Sequence, residues 1–378
     1  MKYGDFAGSE SCGGCHKNIY ESHINTGHYN TSQPALKKQI LGSFEPGQNT
    51  FSFNAMEKVA MEKRGDGYYQ VEYLMNEEKR KSKFDITVGS GKKGQSYLSW
   101  KSNSLIQMPV TYFTPESTWS GSPGFNPQKI AFNRVVTSRC LECHSTYFET
   151  ISDTDKHPEE FDKKNIIYGV DCEKCHGPAK EHVNFHLKNP SVKEAKYIVN
   201  TGKLPRQLQL DLCGLCHSGR LIKTRPSFSF QAGDSLLDFF TQPNTPAQVG
   251  GIDVHGNQLG MLSQSKCFIS SGMTCQSCHN VHEKEQNKPE LFSQRCAGCH
   301  TEGKSRLCLL TKTVGNIINK NCIDCHMPLQ LSHSIAVFLE GANVPTPAKL
   351  RTHEIKIYKE ESDKILEFLK KPVIHKRK

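Results

Sequence analysis

The sequence predicts a mainly α and irregular fold with one small antiparallel β-rich insertion and a core that its own side chains do not fill. Three observations predict it. The pattern Cys-x-x-Cys-His occurs seven times in 378 residues; only 36% of the chain is hydrophobic, a modest supply for a conventional core; and the first two copies stand 128 residues apart, whereas later ones follow at 32, 41, 62, 21 and 26.

The copies run from Cys12 and Cys15 to His16, Cys140 and Cys143 to His144, Cys172 and Cys175 to His176, and Cys213 and Cys216 to His217. They continue with Cys275 and Cys278 to His279, Cys296 and Cys299 to His300, and Cys322 and Cys325 to His326. Chance placement of 16 Cys and 17 His would give far fewer than one such match. Two thiols three positions apart can each add to one vinyl group of the same porphyrin, and the His that follows is placed under the ring to bind iron. Zinc sites need a second Cys or His pair at set spacing, and a redox Cys-x-x-Cys has no reason to carry His next. The pattern therefore implies seven covalently attached haem c groups, with side chains packing on haem faces more than on one another.

A formal charge of +10 at pH 7 invites a nucleic-acid or membrane reading. Seven haems bring that to about +3 oxidised and about −4 reduced, once iron and propionates are counted. Many Lys and Arg residues then read as propionate partners, and no nucleic-acid partner is expected. Haem attachment of this type occurs outside the cytoplasm, where disulfides persist, so the two cysteines outside the motifs, Cys267 and Cys308, are expected to pair. The start of the chain, through Cys12, has no apolar export region, and no stretch approaches 18 apolar residues. It reads as a processed chain with no transmembrane segment, from the periplasm or the cell surface.

Four regions follow from the spacing. Residues 1–44 carry the first motif, 45–127 form the β-rich insertion, 128–348 form a six-haem body, and 349–378 supply a ligand segment and helix. In the insertion, Lys58 to Arg64 and Tyr68 to Leu74 read as strands around the turn Gly65-Asp66-Gly67, with Phe84 to Val88, Ser96 to Trp100 and Leu105 to Tyr112 as further strands. Gly89 to Gly94 matches Gly-x-Gly-x-x-Gly, but a strand pattern rather than a helix follows, which argues against a nucleotide site. Ser362 to Lys371 reads as an amphipathic helix ended by Pro372.

Ten histidines lie outside the motifs, enough to give every iron a second imidazole. A haem that only passes electrons gains from two such ligands, which keep the iron low-spin and closed to substrate. His182 and His282, a few residues after a motif, are placed to reach a neighbouring iron. His28, His255, His353 and His333 follow as candidates. His186 shares a helical face with His182 and reads equally well as a propionate partner. His23, His157 and His375 are weaker candidates, and Met261, Met273 and Met327 read as packing residues.

The segments Gly8-Ser9-Glu10, Arg139-Cys140 through Thr146, Gly169-Val170-Asp171-Cys172 through Pro178, Ser265-Lys266-Cys267-Phe268, Met273-Thr274-Cys275 through His282, Cys322 through Pro328 and Arg351-Thr352-His353 resemble multihaem c-type cytochromes of the cytochrome c-554 and doubled Cys-x-x-Cys-His kind. The resemblance spans nearly the whole chain. It implies a multihaem cytochrome c fold and electron transfer through closely stacked bis-histidine haems, with other cytochromes or quinol-linked donors as partners. His182, His282, His255 and His353 stand where it implies distal ligands. The extra motifs and the insertion depart from four-haem members, so haem order does not carry over. Two other readings stay open: a multihaem oxidoreductase in which one open-site haem acts on a small nitrogen or sulfur compound, and a filament-forming structural cytochrome. No Cys-x-x-Cys-Lys variant is present to mark a nitrite-reductase-type site.

Overall fold

The computed structural model describes residues 1–151, 158–242, 252–301 and 308–370. Its main β region holds two antiparallel sheets. The strands Thr50–Ser52, Glu57–Arg64, Gly67–Leu74 and Glu77–Lys83 form a four-stranded meander. Arg64 pairs with Gly67 across a two-residue turn, with the Asp66 carboxylate accepting from Tyr69 Oη. The second sheet has seven strands. Ser32–Pro34, Ile86–Val88, Gly94–Lys101, Ser104–Gln107 and Arg134–Val135 run in that spatial order, and Val110–Phe113 and Thr118–Gly121 branch from Gly94–Lys101. Strand pairing thus draws one strand from before residue 45 and one from beyond residue 127 into the same sheet as the insertion.

The two sheets bury Phe51, Val59 and Met61 of the first against Tyr97, Ile106 and Trp119 of the second. Buried amide groups must find partners. Gln70 provides them by donating from Nε2 to Val110 O at 2.6 Å and accepting from Val110 N at 3.1 Å, which pins the meander to the second sheet. The loop Gly89 to Gly94 leads into a strand, as the sequence pattern indicates.

The expectation of a mainly α fold is corrected by this architecture, which is about 30% helix and 25% strand. The insertion carries more strand than its apolar alternation signals, because Glu77–Lys83 is held at a sheet edge by backbone pairing and charged contacts rather than by an apolar face. Strands also form between the motifs and after the last of them. Ser145–Thr150 pairs with Phe161–Tyr168, Ile222–Lys223 with Phe240–Thr241, and Leu329–Val337 with Thr346–Arg351. Side chains therefore pack on one another to a greater extent than a haem-only core requires. The last helix spans Lys359–Lys370, beginning before the expected Ser362, and residue 371 lies outside the described residues.

A second cluster joins the sheet to the motifs. Ile86, Leu98 and Leu105 pack with Leu141, which lies inside the second motif, and with Phe148, Phe161 and Phe228. Ser32 reinforces this junction: its Oγ donates to His144 O at 2.7 Å and accepts from Gly169 N at 2.9 Å. Gly169 has φ +66°, and a Cβ there would collide with Tyr29 O, so only glycine fits this crossing.

Candidate functional site

Each motif is built on about one helical turn. Ser138–His144, Cys172–His176, Arg206–His217 and Cys322–His326 are helices over both motif cysteines, Ser9–Gly13 carries Cys12 of the first motif, Cys275–Ser277 is a 3-10 turn, and Pro289–Ala297 leads into the sixth motif. The His N–H bonds back to the first Cys carbonyl in His16 (2.8 Å), His279 (2.9 Å) and His300 (3.0 Å). A turn of this pitch puts the two thiols on one face and the imidazole beside them. Asp171 caps the third turn by accepting from Cys172 N at 2.7 Å, and Gly177, with φ +82°, ends it.

A cavity of about 2690 Å³ runs through this part of the chain, lined by the cysteines and histidines of the first four motifs and by Cys275 and His279 of the fifth. A pocket for one small ligand is roughly 300–1,000 Å³, so this volume holds several. The sixth and seventh motifs lie outside its lining.

Imidazoles from sequence-distant segments face one another across it. His28 and His217 have ring centroids 6.3 Å apart, His176 and His282 6.1 Å with rings 10° from parallel, and His279 and His353 6.2 Å at 30°. Two imidazoles on opposite sides of one metal, each bonded at about 2.0–2.1 Å, have centroids roughly 6 Å apart once the ring radius is added. His255 lies close enough to His144 to lower its basicity further, after burial.

The second ring nitrogen is arranged to match. Nδ1 of His176 meets Val199 O at 2.9 Å, that of His326 meets Lys356 O at 3.1 Å and that of His182 meets Lys196 O at 2.7 Å. A carbonyl only accepts, so these contacts put the proton on Nδ1 and leave the Nε2 lone pair for a metal. His217 Nδ1 lies 2.8 Å from Gln258 Oε1, and His144 Nδ1 lies 3.0 Å from Thr31 Oγ1. Burial pulls His28, His144 and His353 down to about 4, so each is neutral at ordinary pH, the form that ligates. His186 Nε2 and His353 Nδ1 are buried without a hydrogen-bond partner, and His186 sits 4.6 Å from His182.

Other candidates are placed differently. His23 is buried, with Nε2 3.1 Å from Val170 O and Nδ1 3.4 Å from Val281 O, which suits a structural role. His333 is exposed at a strand bulge, its N–H given to Asp253 Oδ2 at 2.6 Å. His157 and His375 lie outside the described residues. Cys267 and Cys308 are unpaired, so the expected disulfide is not formed. Among the described residues no group of three or more His, Cys, Asp or Glu is gathered to hold a bare metal ion.

Several supporting residues gave no motif signal. Glu173, inside the third motif and 3% exposed, accepts from Ala7 N, Gly8 N and Ala179 N at 2.7–2.9 Å, tying the N-terminal segment down. Arg139 pairs with the buried Glu142 at 2.9 Å, and Glu142 accepts from Phe228 N at 2.8 Å. Burial of a carboxylate at a position expected to face water was their only available sign.

Thiol pairs at helical spacing, neutral imidazoles with a directed lone pair and opposed imidazole pairs over a large cavity fit haem c. The chain is a multihaem c-type cytochrome, with thiols and imidazoles that suit covalently bound haem c. The sequence model described as cytochrome c554 and c-prime matches residues 116–177. The multiheme cytochrome MtrA of Shewanella baltica (strain OS185) is 27% identical over 184 residues, covering 43% of this chain and 52% of MtrA, so the chain matches about half that relative's length. The crystal structure of the outer cell wall cytochrome OcwA shares the fold, with a TM-score of 0.56 and 17% identity over 93% of this chain and 80% of OcwA.

Proposed function

We propose that the chain binds seven haems, one at each Cys-x-x-Cys-His, and passes electrons along them to and from other redox proteins in the periplasm or at the cell surface. The observation that carries this reading is the set of imidazole pairs at 6.1, 6.2 and 6.3 Å, each joining a motif histidine to a distant segment. Bound haem iron supplies one-electron redox change. In this reading His16, His144, His176, His217, His279, His300 and His326 are proximal ligands. His282 serves the third motif, His28 the fourth, His353 the fifth and His255 the second. His182, with Nδ1–H held by Lys196 O, offers Nε2 to the cavity it lines. His333 enters on sequence spacing alone.

The residues 1–44, 45–127, 128–348 and 349–378 are read as haem-bearing segment, β-rich insertion, six-haem body and ligand-bearing tail. The outer cell wall named for OcwA supports the location proposed here; among the described residues no helix is long and apolar enough to cross a membrane. Pyridine haemochrome and intact mass are expected to give seven haems, and electron paramagnetic resonance only low-spin ferric iron. A high-spin signal of about one iron per chain, shifted by nitrite or hydroxylamine, would replace the carrier reading with an open-site enzyme. A colourless mature chain would end both.

A further inference from the structure

Motif order along the chain differs from motif order in space. Helix Ser9–Gly13 packs on Cys172–His176, and the thiols of Cys12 and Cys172 are in contact. The first motif therefore adjoins the third. Helix Arg206–His217, which carries the fourth motif, has two such neighbours and a third reached indirectly. It packs on Ser138–His144, where Cys143 and Cys216 meet. It packs on Cys275–Ser277, where Cys213 meets Cys275. It also reaches the third motif through His28, whose ring faces His217 while its carbonyl accepts from Val170 N at 2.8 Å, two residues before Cys172.

The line then continues in one direction. Arg295, just ahead of the sixth motif, donates to Cys278 O of the fifth at 2.7 Å, and Cys322 N of the seventh donates to Ser293 Oγ, on the helix leading into the sixth, at 2.9 Å. The second motif is held against the fourth by a specific clamp. Arg139 gives one N–H to Cys143 Sγ at 3.1 Å and another to Leu215 O, inside the fourth motif, at 2.8 Å, and it lies over the Phe240 ring at 4.9 Å. Its charge is balanced by Glu142, which is 1% exposed.

We propose that the attachment sites form a branched line: first, third, fourth, fifth, sixth and seventh in sequence, with the second as a spur whose nearest neighbour is the fourth. This rests on the seven-haem reading above. Each thiol stands where a thioether sulfur would join the porphyrin edge, and electron tunnelling falls off steeply with the gap between edges. Sites whose sulfurs touch are thus the fast steps. A branched line has three ends, at the first, second and seventh motifs, and serves three redox partners where an unbranched one serves two.

Crystals of the mature, haem-loaded chain, measured at the iron absorption edge, locate every iron directly. The branch requires the second iron to have the fourth as its nearest neighbour, and the line from first to seventh to be unbroken without it. A second iron lying between the first and third, or nearer to any iron than to the fourth, overturns it. Fewer than seven irons would overturn the seven-haem reading; the branch is then decided by the neighbours of the second and fourth irons, and loss of either of those two would overturn it as well.

Discussion

The β region and the motif-lined region are built on opposite principles. Between the two sheets, Phe51, Met61, Tyr97 and Trp119 fill the space from both sides, and Gln70 closes its own hydrogen bonds. Around the cavity, short turns carry thiols and imidazoles toward a volume that no side chain fills. The first region holds itself together through ladders and close packing. The second is shaped for something that must be added, so its stability is linked to that addition.

The largest expected effect tests this contrast directly. Keeping a dry cavity of 2690 Å³ open would cost on the order of tens of kcal/mol, beyond the roughly 5–15 that stabilise a whole domain. A chain made without haem attachment is therefore expected to lose the motif region while strands such as Glu57–Arg64 and Gly94–Lys101 stay folded. Limited proteolysis read by mass spectrometry should cut within 172–300 and spare 57–121. Equal protection of both would break the comparison.

Next comes the sheet core itself. Met108 is fully buried between the sheets, and Met108→Ala is expected to cost about 2–5 kcal/mol through lost contacts and a cavity. Thermal unfolding should start earlier while the haem count stays unchanged. Gln70→Ala should cost less, about 1–3 kcal/mol, because Val110 loses both partners. A haem spectrum altered by either change would mean that the two regions are more tightly coupled than their separate cores imply.

These regions also differ in how far they could be read from sequence. The motifs name their own chemistry, and the strand around Tyr69, Val71 and Tyr73 declares itself by alternation. Glu77–Lys83 does not, since Glu-Glu-Lys-Arg-Lys-Ser-Lys has no apolar face. It sits at a sheet edge, paired only to Gly67–Leu74 and steadied by contacts such as Lys83 to Asp66 at 3.0 Å. Strands outside the insertion, such as Leu329–Val337, were hidden for a different reason. Their partners come from later in the chain, and pairing over a loop leaves little local pattern. The opposed imidazoles were legible as a surplus of histidine but not as pairs, because His28 meets His217, and His279 meets His353, only after the chain has folded.

The smallest expected effect on the fold separates a ligand from a structural histidine. His353 is half-buried, with its Nδ1 atom buried and its ring 6.2 Å from that of His279, whereas His23 is buried with both ring nitrogens against carbonyls. His353→Ala removes one side of an opposed pair. It is expected to leave the sheet and the unfolding midpoint nearly unchanged while converting about one iron per chain from low to high spin, and added imidazole should reverse this. His23→Ala takes away the ring that meets Val170 and Val281, and should cost about 1–3 kcal/mol with no new high-spin iron. Spin state read beside melting temperature for the two variants sharpens the comparison. A high-spin signal from His23→Ala, or none from His353→Ala, would exchange their roles and redraw which part of the motif region belongs to the protein core.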